Sequence, residues 1–495
     1  MITHNEIKHD NINQFILQIS KKYNLYSYIT HVKNEKTVLD LLDESLLLMT
    51  EYINDHILQI IHEDLYESIF EYSYEIMYNK YIEDNVLNTI INISNEECIN
   101  VIYNINMISR STIFKFVIPK RSYKKSYIRK NMSNKSYNKE INFHKITEKL
   151  NYLNSIIQPE QRSDEWYIFR SSTLTASNIW KIFISDYSQS QLILEKCQPV
   201  NIDRFKNINI NSPMHWGQKY EPVSALYYEY INKTKVSEFG CIPHKKYSFI
   251  AASPDGIICD TQSELYGRML EIKNVVSREI NGIPKMEYWI QMQIQMEVCE
   301  LNECDFLETK FIEYECVDDY IDDISENYKG IILQFNKENT PHYEYAPFNI
   351  SNKSHEYLNW EKDMFEKNKE IDFIKTIYWK LEKISNILVL RNKYWFNNIL
   401  PLIKIFWENL MYEKETEKYK DRISKKRKAE ILNDKAKSDF PKSGCLINNN
   451  LINTNKDLNT QETNGCLIDN NLFNTNKDND IQGTSDLKFD TEIYK

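Results

Sequence analysis

The amino-acid sequence predicts an α/β protein with helical N- and C-terminal flanks and a disordered C-terminal tail. Between about residues 158 and 350, helical patterns alternate with short strand-like runs, which is typical of an α/β domain. Apolar residues recur at three- and four-residue spacing before residue 118 and after residue 353, which predicts the two helical flanks. From about residue 431 the chain is rich in Asn, Asp and Lys, a composition typical of disorder.

The chain has 495 residues, which is too long for one ordinary hydrophobic core, so two or three domains are expected. The changes in pattern suggest five regions: a helical N-terminal region (1–118), a basic linker or arm (119–150), an α/β core (151–350), a helical C-terminal region (351–430) and the tail (431–495). The residues that suggest chemistry lie in the α/β core.

The net charge of −10 argues against a uniformly basic nucleic-acid coat protein, but it allows a local basic groove. Residues 119–139 contain no acid, and tyrosines are interleaved with their cations. The cations are Lys120, Arg121, Lys124, Lys125, Arg129, Lys130, Lys135 and Lys139. This segment is either a solvated linker or an arm that follows phosphates and stacks tyrosines on bases.

The cysteines and the apolar runs indicate the compartment. The 9 cysteines are scattered without a CxxC pair, which predicts reduced thiols in a cytosolic or nuclear protein. No run of 18 apolar residues occurs, so we expect a soluble intracellular protein with no membrane contact. The segment SKKRK (424–428) is either a nuclear signal or a solvated helix end.

Three ionisable residues in two neighbouring strand-like segments suggest a catalytic centre. In LEIK (270–273), a strand turns Leu270 and Ile272 to one face and Glu271 and Lys273 to the other, ~6.6 Å apart along the strand. In SPDG (253–256), Pro and Gly favour a strand end, which holds Asp255 near the same face.

Asp255 and Glu271 would repel each other, and a divalent cation would remove that conflict. Mg²⁺ suits such a site because it takes one or two carboxylates and completes its shell with water and phosphate oxygens. Lys273 could then orient or deprotonate the attacking water and offset charge at phosphorus. The three residues therefore predict a metal site that cleaves phosphodiesters.

An ExK triplet alone is more often a surface salt bridge, but SPDG followed by LEIK is far more specific. The combination resembles the PD-(D/E)xK nuclease superfamily and, more narrowly, the lambda exonuclease and YqaJ-like viral recombinase family. The resemblance implies a restriction-endonuclease-like αβββαβ core. It also implies that Ile272 joins Asp255 and Glu271 at a Mg²⁺ site in which Mn²⁺ can substitute.

Two helical segments extend the resemblance. MHWGQKYEPVSALYYEY (214–230) resembles the family's WGxxYE helix, which implies that Glu221 is a further catalytic and metal-binding acid. EYWIQMQIQMEVCE (287–300) resembles the helix that carries a site-facing glutamine, which implies a catalytic role for Gln291. The alternative for Glu221 is an ordinary surface position.

DEWYIFRSSTLTASNIWKIF (164–183) resembles the family's opening motif, in which an Arg and a Ser hold a terminal 5′-phosphate. The corresponding residues are Arg170 and Ser177, and the intervening SSTLTAS predicts a helix break that could bring them together. Alternatively, Arg170 closes a salt bridge with Asp164 or Glu165.

The resemblance implies a Mg²⁺-dependent DNA exonuclease that degrades one strand of duplex DNA from a 5′ end in viral recombination, repair or replication. An endonuclease or junction resolvase on the same core and a non-catalytic DNA-binding scaffold are the alternatives. The expected partners are duplex DNA ends, a single-strand annealing protein and further copies of the chain. The expected location is a cytoplasmic site of viral replication.

Overall fold

The structure is a computed structural model. It describes residues 35–422, except 125–135, 201–208, 351–353 and positions 63, 93, 117, 119, 160, 162, 326, 339 and 349. The expectations for residues 1–34, for the tail after residue 431 and for the basic segment SKKRK lie outside the described residues. The described residues belong to one compact unit that ends at Arg422.

Helices form most of the N-terminal part and alternate with strands afterwards. The α-helices are α1 (Glu35–Asp55), α2 (Leu65–Tyr78), α3 (Val86–Ile91), α4 (Asn95–Phe116), α5 (Ser136–Ser155), α6 (Asp164–Ser171), α7 (Ala176–Ile179), α8 (Asp186–Cys197), α9 (Pro213–Asn232), α10 (Met286–Val298), α11 (Val317–Asp322), α12 (His355–Lys367) and α13 (Lys393–Glu415). Short 3₁₀ turns at Ile57–Ile61, Trp180–Phe183 and Lys418–Arg422, and one π turn at Asn79–Glu83, join some of them.

The strands form two sheets. They are β1 (Tyr123–Lys124), β2 (Leu174–Thr175), β3 (Val236–Ser237), β4 (Ile242–Pro243), β5 (Ile250–Ala252), β6 (Gly256–Ile258), β7 (Met269–Asn274), β8 (Glu303–Glu313), β9 (Lys329–Lys337), β10 (Thr340–Tyr345) and β11 (Asp372–Leu390). The larger sheet has the order β10-β9-β11-β8-β7-β6-β3, with β1 also paired to β11, and the smaller sheet has the order β2-β5-β4.

The succession α9–β5–β6–β7–α10–β8 is the expected αβββαβ order, with β5 paired in the smaller sheet. Strands β7 and β8 are parallel, so the chain must cross over between them, and α10 makes that crossover. The apolar residues Trp289, Met292 and Met296 of α10, and Cys299 directly after it, are buried in the main hydrophobic core. The α/β class and this core are therefore confirmed.

The expected helical C-terminal region is wrong at residues 372–390, which form strand β11. Ile377, Trp379 and Leu381 are buried at alternate positions, as in a strand with one face against a core. Strand β11 lies between β8 and β9, so the sheet extends beyond the expected core boundary at residue 350. Helices α12 and α13 flank this strand, as expected for the rest of the region.

The beginning of the basic segment is part of the fold. The ammonium group of Lys120 lies 4.0 Å from the ring centre of Tyr66, and burial lowers the pKa of Lys120 to about 8. Arg121 donates a hydrogen bond to the main-chain oxygen of Pro284 (3.1 Å), and Ser122 donates one to that of Gly282 (3.3 Å). The next residues pair with β11 before the chain leaves the described residues at position 125.

In the part of the chain that the structure describes, no helix is both long and apolar enough to cross a membrane.

Candidate active site

Asp255 lies in the short turn between β5 and β6. Gly256 begins β6 and pairs with Leu270, and a Cβ atom at Gly256 would come within 2.1 Å of the Val236 side chain, so only glycine fits there. One carboxylate oxygen of Asp255, Oδ2, accepts a hydrogen bond from the main-chain N–H of Ile272 (2.7 Å). This bond ties Asp255 to the centre of β7.

Strand β7 divides its side chains as the sequence predicts. Leu270 and Ile272 pack in a small apolar cluster, whereas Glu271 and Lys273 form an ion pair on the other face. Glu271 is completely buried, and its second oxygen, Oε2, accepts a hydrogen bond from the Nε2 of Gln295 (2.8 Å). The Glu271 carboxylate is therefore held from two sides.

The charges of these residues act on one another. Burial raises the pKa of the Asp255 carboxyl well above its ordinary value, and the neighbouring carboxylates of Glu271 and Glu221 raise it further. For Lys273, burial favours the neutral amine, but the carboxylates of Glu271 and Asp255 outweigh it and raise the pKa of Lys273. Lys273 is therefore a cation at neutral pH, which favours orienting or charge-stabilising roles over deprotonation of water.

Glu221 comes from the middle of α9 and lies beside the space that Asp255 borders. Pro222 follows it inside the helix and has no N–H to donate to the carbonyl of Gln218. Helix α9 nevertheless continues through this position from Pro213 to Asn232. The pKa effect of Glu221 on Asp255 indicates that the two acids belong to the same site.

The oxygen donors of this site fit Mg²⁺. Among the described residues, no three His, Cys, Asp or Glu side chains form a group that could hold a metal ion by themselves. Mg²⁺ does not need such a group, because it binds one or two carboxylates and keeps water and phosphate oxygens for the remaining positions. Asp255 and Glu271 would supply the carboxylates, Ile272 a main-chain oxygen, and Glu221 a further acid.

The glutamine that contacts Glu271 is Gln295, one helical turn after the predicted Gln291. Gln295 is fully buried on α10, and it also donates to the main-chain oxygen of Ser253 (3.2 Å). It thereby links β7 to the segment that leads to Asp255. The sequence carries a signal for this residue, because glutamines recur at positions 291, 293 and 295, but the signal does not distinguish among them.

Arg170 and Ser177 come together as the sequence predicts. Helix α6 ends at Ser171, β2 follows, and α7 begins at Ala176, so a break separates the two residues. The guanidinium group of Arg170 donates a hydrogen bond to the hydroxyl of Ser177 (3.1 Å) and lies 4.3 Å from the ring centre of Trp166. The contacts of the Arg170 side chain are thus with Ser177 and Trp166 rather than with the acids at the start of α6.

The smaller sheet brings this pair towards Asp255. Strands β2 and β5 are parallel, with Thr175 opposite Ala251. Parallel strands leave a sheet at the same edge, so Ser177 follows β2 on the side where Asp255 follows β5. Burial lowers the pKa of Arg170, although a guanidinium group stays charged at any pH of interest.

Two cavities meet at the acids, and both are bordered by Gln218, Glu221 and Asp255. The first, of about 830 Å³, we call the Tyr167 cavity, and its wall includes Asp164, Tyr167, Glu238, His342 and Tyr343. The second, of about 630 Å³, we call the Lys285 cavity, and its wall includes Met214, Lys273, Val276, Arg278, Lys285 and Tyr288. Glu221 and Asp255 therefore border both cavities, which together we call the cleft.

Comparison with solved structures finds two crystal structures of an alkaline exonuclease from Laribacter hongkongensis, one of them in complex with dAMP. Each is 20% identical to this chain, covers 52% of it and 98% of the exonuclease chain, and has a TM-score of 0.30.

A curated relative is the uncharacterized protein R354 of Acanthamoeba polyphaga mimivirus, which is 30% identical over 391 residues. The match includes 68% of this chain, and the chain spans 65% of the length of the relative.

The family model of the YqaJ-like viral recombinase domain matches residues 165–302. This segment contains every residue that the sequence predicts for the site, from Arg170 to Gln291, and also Gln295. The resemblance expected from the sequence is therefore confirmed at the level of this segment: residues 165–302 match the family model of the YqaJ-like viral recombinase domain.

Proposed function

We propose that this protein is a Mg²⁺-dependent DNA exonuclease of the viral recombination type, which hydrolyses duplex DNA from 5′ ends. The observation that carries the proposal is the grouping of Asp255 with the Glu271–Lys273 pair, in which Asp255 and Lys273 border one cavity and the buried Glu271 lies behind them. Two carboxylates and a lysine grouped in this way suit phosphodiester hydrolysis, because they can hold a cation and balance developing charge. The YqaJ-like domain match supports the same class of reaction.

The metal ion, when bound, would polarise the phosphate and lower the pKa of a bound water. The residues of this chain have their own tasks. Gln295 and Lys273 fix the Glu271 carboxylate, and the Ile272 N–H fixes Asp255. The carboxylates of Glu271 and Asp255 favour the charged form of Lys273, which could offset negative charge that develops on phosphorus. Mn²⁺ is expected to replace Mg²⁺ because it prefers the same oxygen ligands.

Arg170 and Ser177 support an exonuclease rather than an endonuclease. Their hydrogen bond brings a cation and a hydroxyl together, and helix α6, which carries Arg170, also contributes Asp164 and Tyr167 to the Tyr167 cavity. A terminal phosphate carries more negative charge than an internal diester, so such a pair favours DNA ends. Degradation of one strand would leave a 3′ overhang, and a strand-annealing protein would be the natural partner of that product.

The experiment that tests the function uses linear duplexes labelled at either the 5′ or the 3′ end, and a closed circular duplex, each with Mg²⁺. We expect release of 5′-terminal nucleotides from the linear duplexes and no change in the circle. Cleavage of the circle would favour the endonuclease, and binding without cleavage under Mg²⁺ and Mn²⁺ would favour the non-catalytic scaffold. Oligomeric state and compartment remain predictions of the sequence.

A further inference from the structure

The Lys285 cavity differs in charge from the Tyr167 cavity, although Glu221 and Asp255 border both. Besides the shared acids, the Lys285 cavity is bordered by Lys273, Arg278 and Lys285 and by no further acid. The Tyr167 cavity is bordered instead by the additional acids Asp164 and Glu238, and its lysine, Lys219, is paired with Glu313. A polyanionic strand is therefore attracted to the Lys285 cavity more than to the Tyr167 cavity.

The cations of the Lys285 cavity are not equivalent. Lys273 is paired with Glu271, and Arg278 is paired with the buried Glu308. Both cations are therefore held in place by buried carboxylates. Lys285 is exposed at the start of α10, and its positive charge favours the ionised form of Glu308. The ion pair with Glu308 is made by Arg278, so the ammonium group of Lys285 can turn to a ligand.

The same cavity offers apolar and aromatic surface. Met214 is 75% exposed and Val276 is 47% exposed, and both border the cavity. Tyr288 lies beneath two cations, with Lys273 at 5.2 Å and Arg278 at 5.5 Å from its ring centre. Alternating phosphates and bases need such a surface, because cations contact the backbone while apolar and aromatic groups contact the bases.

The beginning of the basic segment is attached beside this cavity. Arg121 and Ser122 donate hydrogen bonds to the main chain of Pro284 and Gly282, immediately before Lys285. The loop that carries Lys285 is thus tied to the start of the most basic stretch of the chain. This attachment is independent of the cavity itself and points to the same kind of ligand.

We propose that the Lys285 cavity binds the nucleotides on the 3′ side of the scissile bond, with Lys285 contacting the first phosphodiester beyond it. The inference rests on the proposed function. If Arg170 and Ser177 hold the 5′-phosphate, we expect the terminal nucleotide on the side of the Tyr167 cavity, because Tyr167 borders that cavity and lies three residues before Arg170 on the same helix. The degraded strand then passes Glu221 and Asp255 and continues into the Lys285 cavity in the 5′ to 3′ direction.

The test combines Lys285→Ala with a chemically altered DNA. A 5′-phosphorylated duplex is prepared with a neutral methylphosphonate in place of the second phosphodiester, and release of the first nucleotide is measured in a single turnover. For wild type we expect an increase of about tenfold in the DNA concentration needed for half-maximal rate, as for removal of one charge-assisted hydrogen bond. The Lys285→Ala variant should already need this higher concentration on unmodified DNA. The methylphosphonate should not raise the concentration for half-maximal rate any further in this variant.

Lys369→Ala is the matched control, because Lys369 is an exposed lysine on another face, paired only with Glu366 three residues earlier. It should respond to the methylphosphonate as wild type does. An equal response of wild type and Lys285→Ala would overturn the assignment of the cavity while leaving the exonuclease intact. If wild type cleaves nothing, the proposed function fails, and binding of the same two duplexes without metal still decides whether Lys285 contacts that phosphodiester.

Discussion

Asp255 combines a main-chain hydrogen bond with repulsion from two other carboxylates. The bond from the Ile272 N–H holds the side chain in place, while Glu271 and Glu221 disfavour its negative charge. A position of this kind lowers the stability of the fold, since like charges in a buried site raise the free energy of the folded state, and such positions cluster at functional sites. The residues around Asp255 therefore give sharp tests of the site.

Asp255→Ala and Glu271→Ala should each abolish cleavage while DNA binding largely survives. The carboxylates are expected to hold the metal ion, whereas the duplex is held by cations elsewhere. Cleavage is measured with Mg²⁺ and with excess chelator, and binding is measured by fluorescence anisotropy. Asp372→Ala, at the exposed start of β11, is the control for loss of an acid. Full activity in either site variant or in chelator would contradict the metal site.

Gln295→Met should slow the single-turnover rate by roughly ten- to a hundredfold, because it removes a hydrogen bond to a charged carboxylate worth about 1.5–3 kcal/mol. Gln291→Met, one turn earlier on α10, is the matched variant and should keep a rate near that of wild type. A greater loss of rate in Gln291→Met than in Gln295→Met would assign the catalytic role to Gln291, as the sequence resemblance implies.

Arg170→Ala should slow digestion of 5′-phosphorylated duplex by roughly ten- to a hundredfold, because it removes one charge-assisted hydrogen bond to the terminal phosphate. A duplex with a 5′-hydroxyl end lacks that phosphate and should be almost unaffected. Because both substrates are measured on one variant, a folding defect is recognised by loss of both activities. Equal rates of wild type on the two substrates would mean that Arg170 and Ser177 hold no terminal phosphate.

The elements differ in how well the sequence predicts them. Strand β7 and helix α10 follow from local patterns, and each has the face that its periodicity indicates. Strand β11 does not, because Ile377, Leu381, Ile384 and Leu388 also fit a helical spacing. Its strand form comes from pairing with β8 and β9, which are distant in sequence, and such pairing is invisible to a local pattern.

Local sequence patterns likewise predict some features of the site and not others. The break between Arg170 and Ser177 is local and can be predicted from the Ser- and Thr-rich residues between them. The choice among the three glutamines of α10 depends on how this helix is rotated above β7, which no local pattern records. The Lys285 cavity is equally invisible to the sequence, because its wall joins α9, β7 and the start of α10.

The basic segment gives a prediction at the level of one element. Replacing Lys124, Lys125, Arg129, Lys130, Lys135 and Lys139 by Gln should weaken DNA binding and reduce the slope of log affinity against log salt by up to about 0.9 for each phosphate that the segment no longer neutralises. Lys120 and Arg121 are kept because they contact Tyr66 and Pro284. A control replaces Lys362 and Lys369 by Gln. An unchanged slope would leave the segment as a linker.

At the scale of the whole molecule, the last strand in sequence lies in the interior of the sheet. Strand β11 separates β8 from β9 and buries Trp379 against Gly330, where a Cβ atom would come within 2.3 Å of the indole. The region that the sequence suggests as a core, residues 151–350, therefore lacks a strand that its own sheet needs. Without β11, two long strands would expose unpaired edges.

A fragment of residues 151–350 should consequently aggregate or remain partly unfolded, whereas a fragment of residues 35–422 should stay monodisperse with a cooperative thermal transition. The difference is measured by size-exclusion chromatography and by circular dichroism during heating. The longer fragment is the control for loss of the tail, since both fragments lack it. A soluble and cooperative 151–350 fragment would contradict the structural role of β11.

The position of β11 also affects the order in which parts of the sheet can fold during synthesis of the chain. Strand β9 ends at Lys337 and β11 ends at Leu390. The edges of β8 and β9 that pair with β11 therefore stay unpaired while the intervening residues are synthesised. At about 5–20 residues per second this interval lasts several seconds, which is long compared with the time in which exposed strand edges associate in a crowded cell. The catalytic strand β7 pairs with β8 on the opposite side and needs no such delay. We therefore expect the frame of the active site to form first and chaperones to protect the open edge until translation passes residue 390.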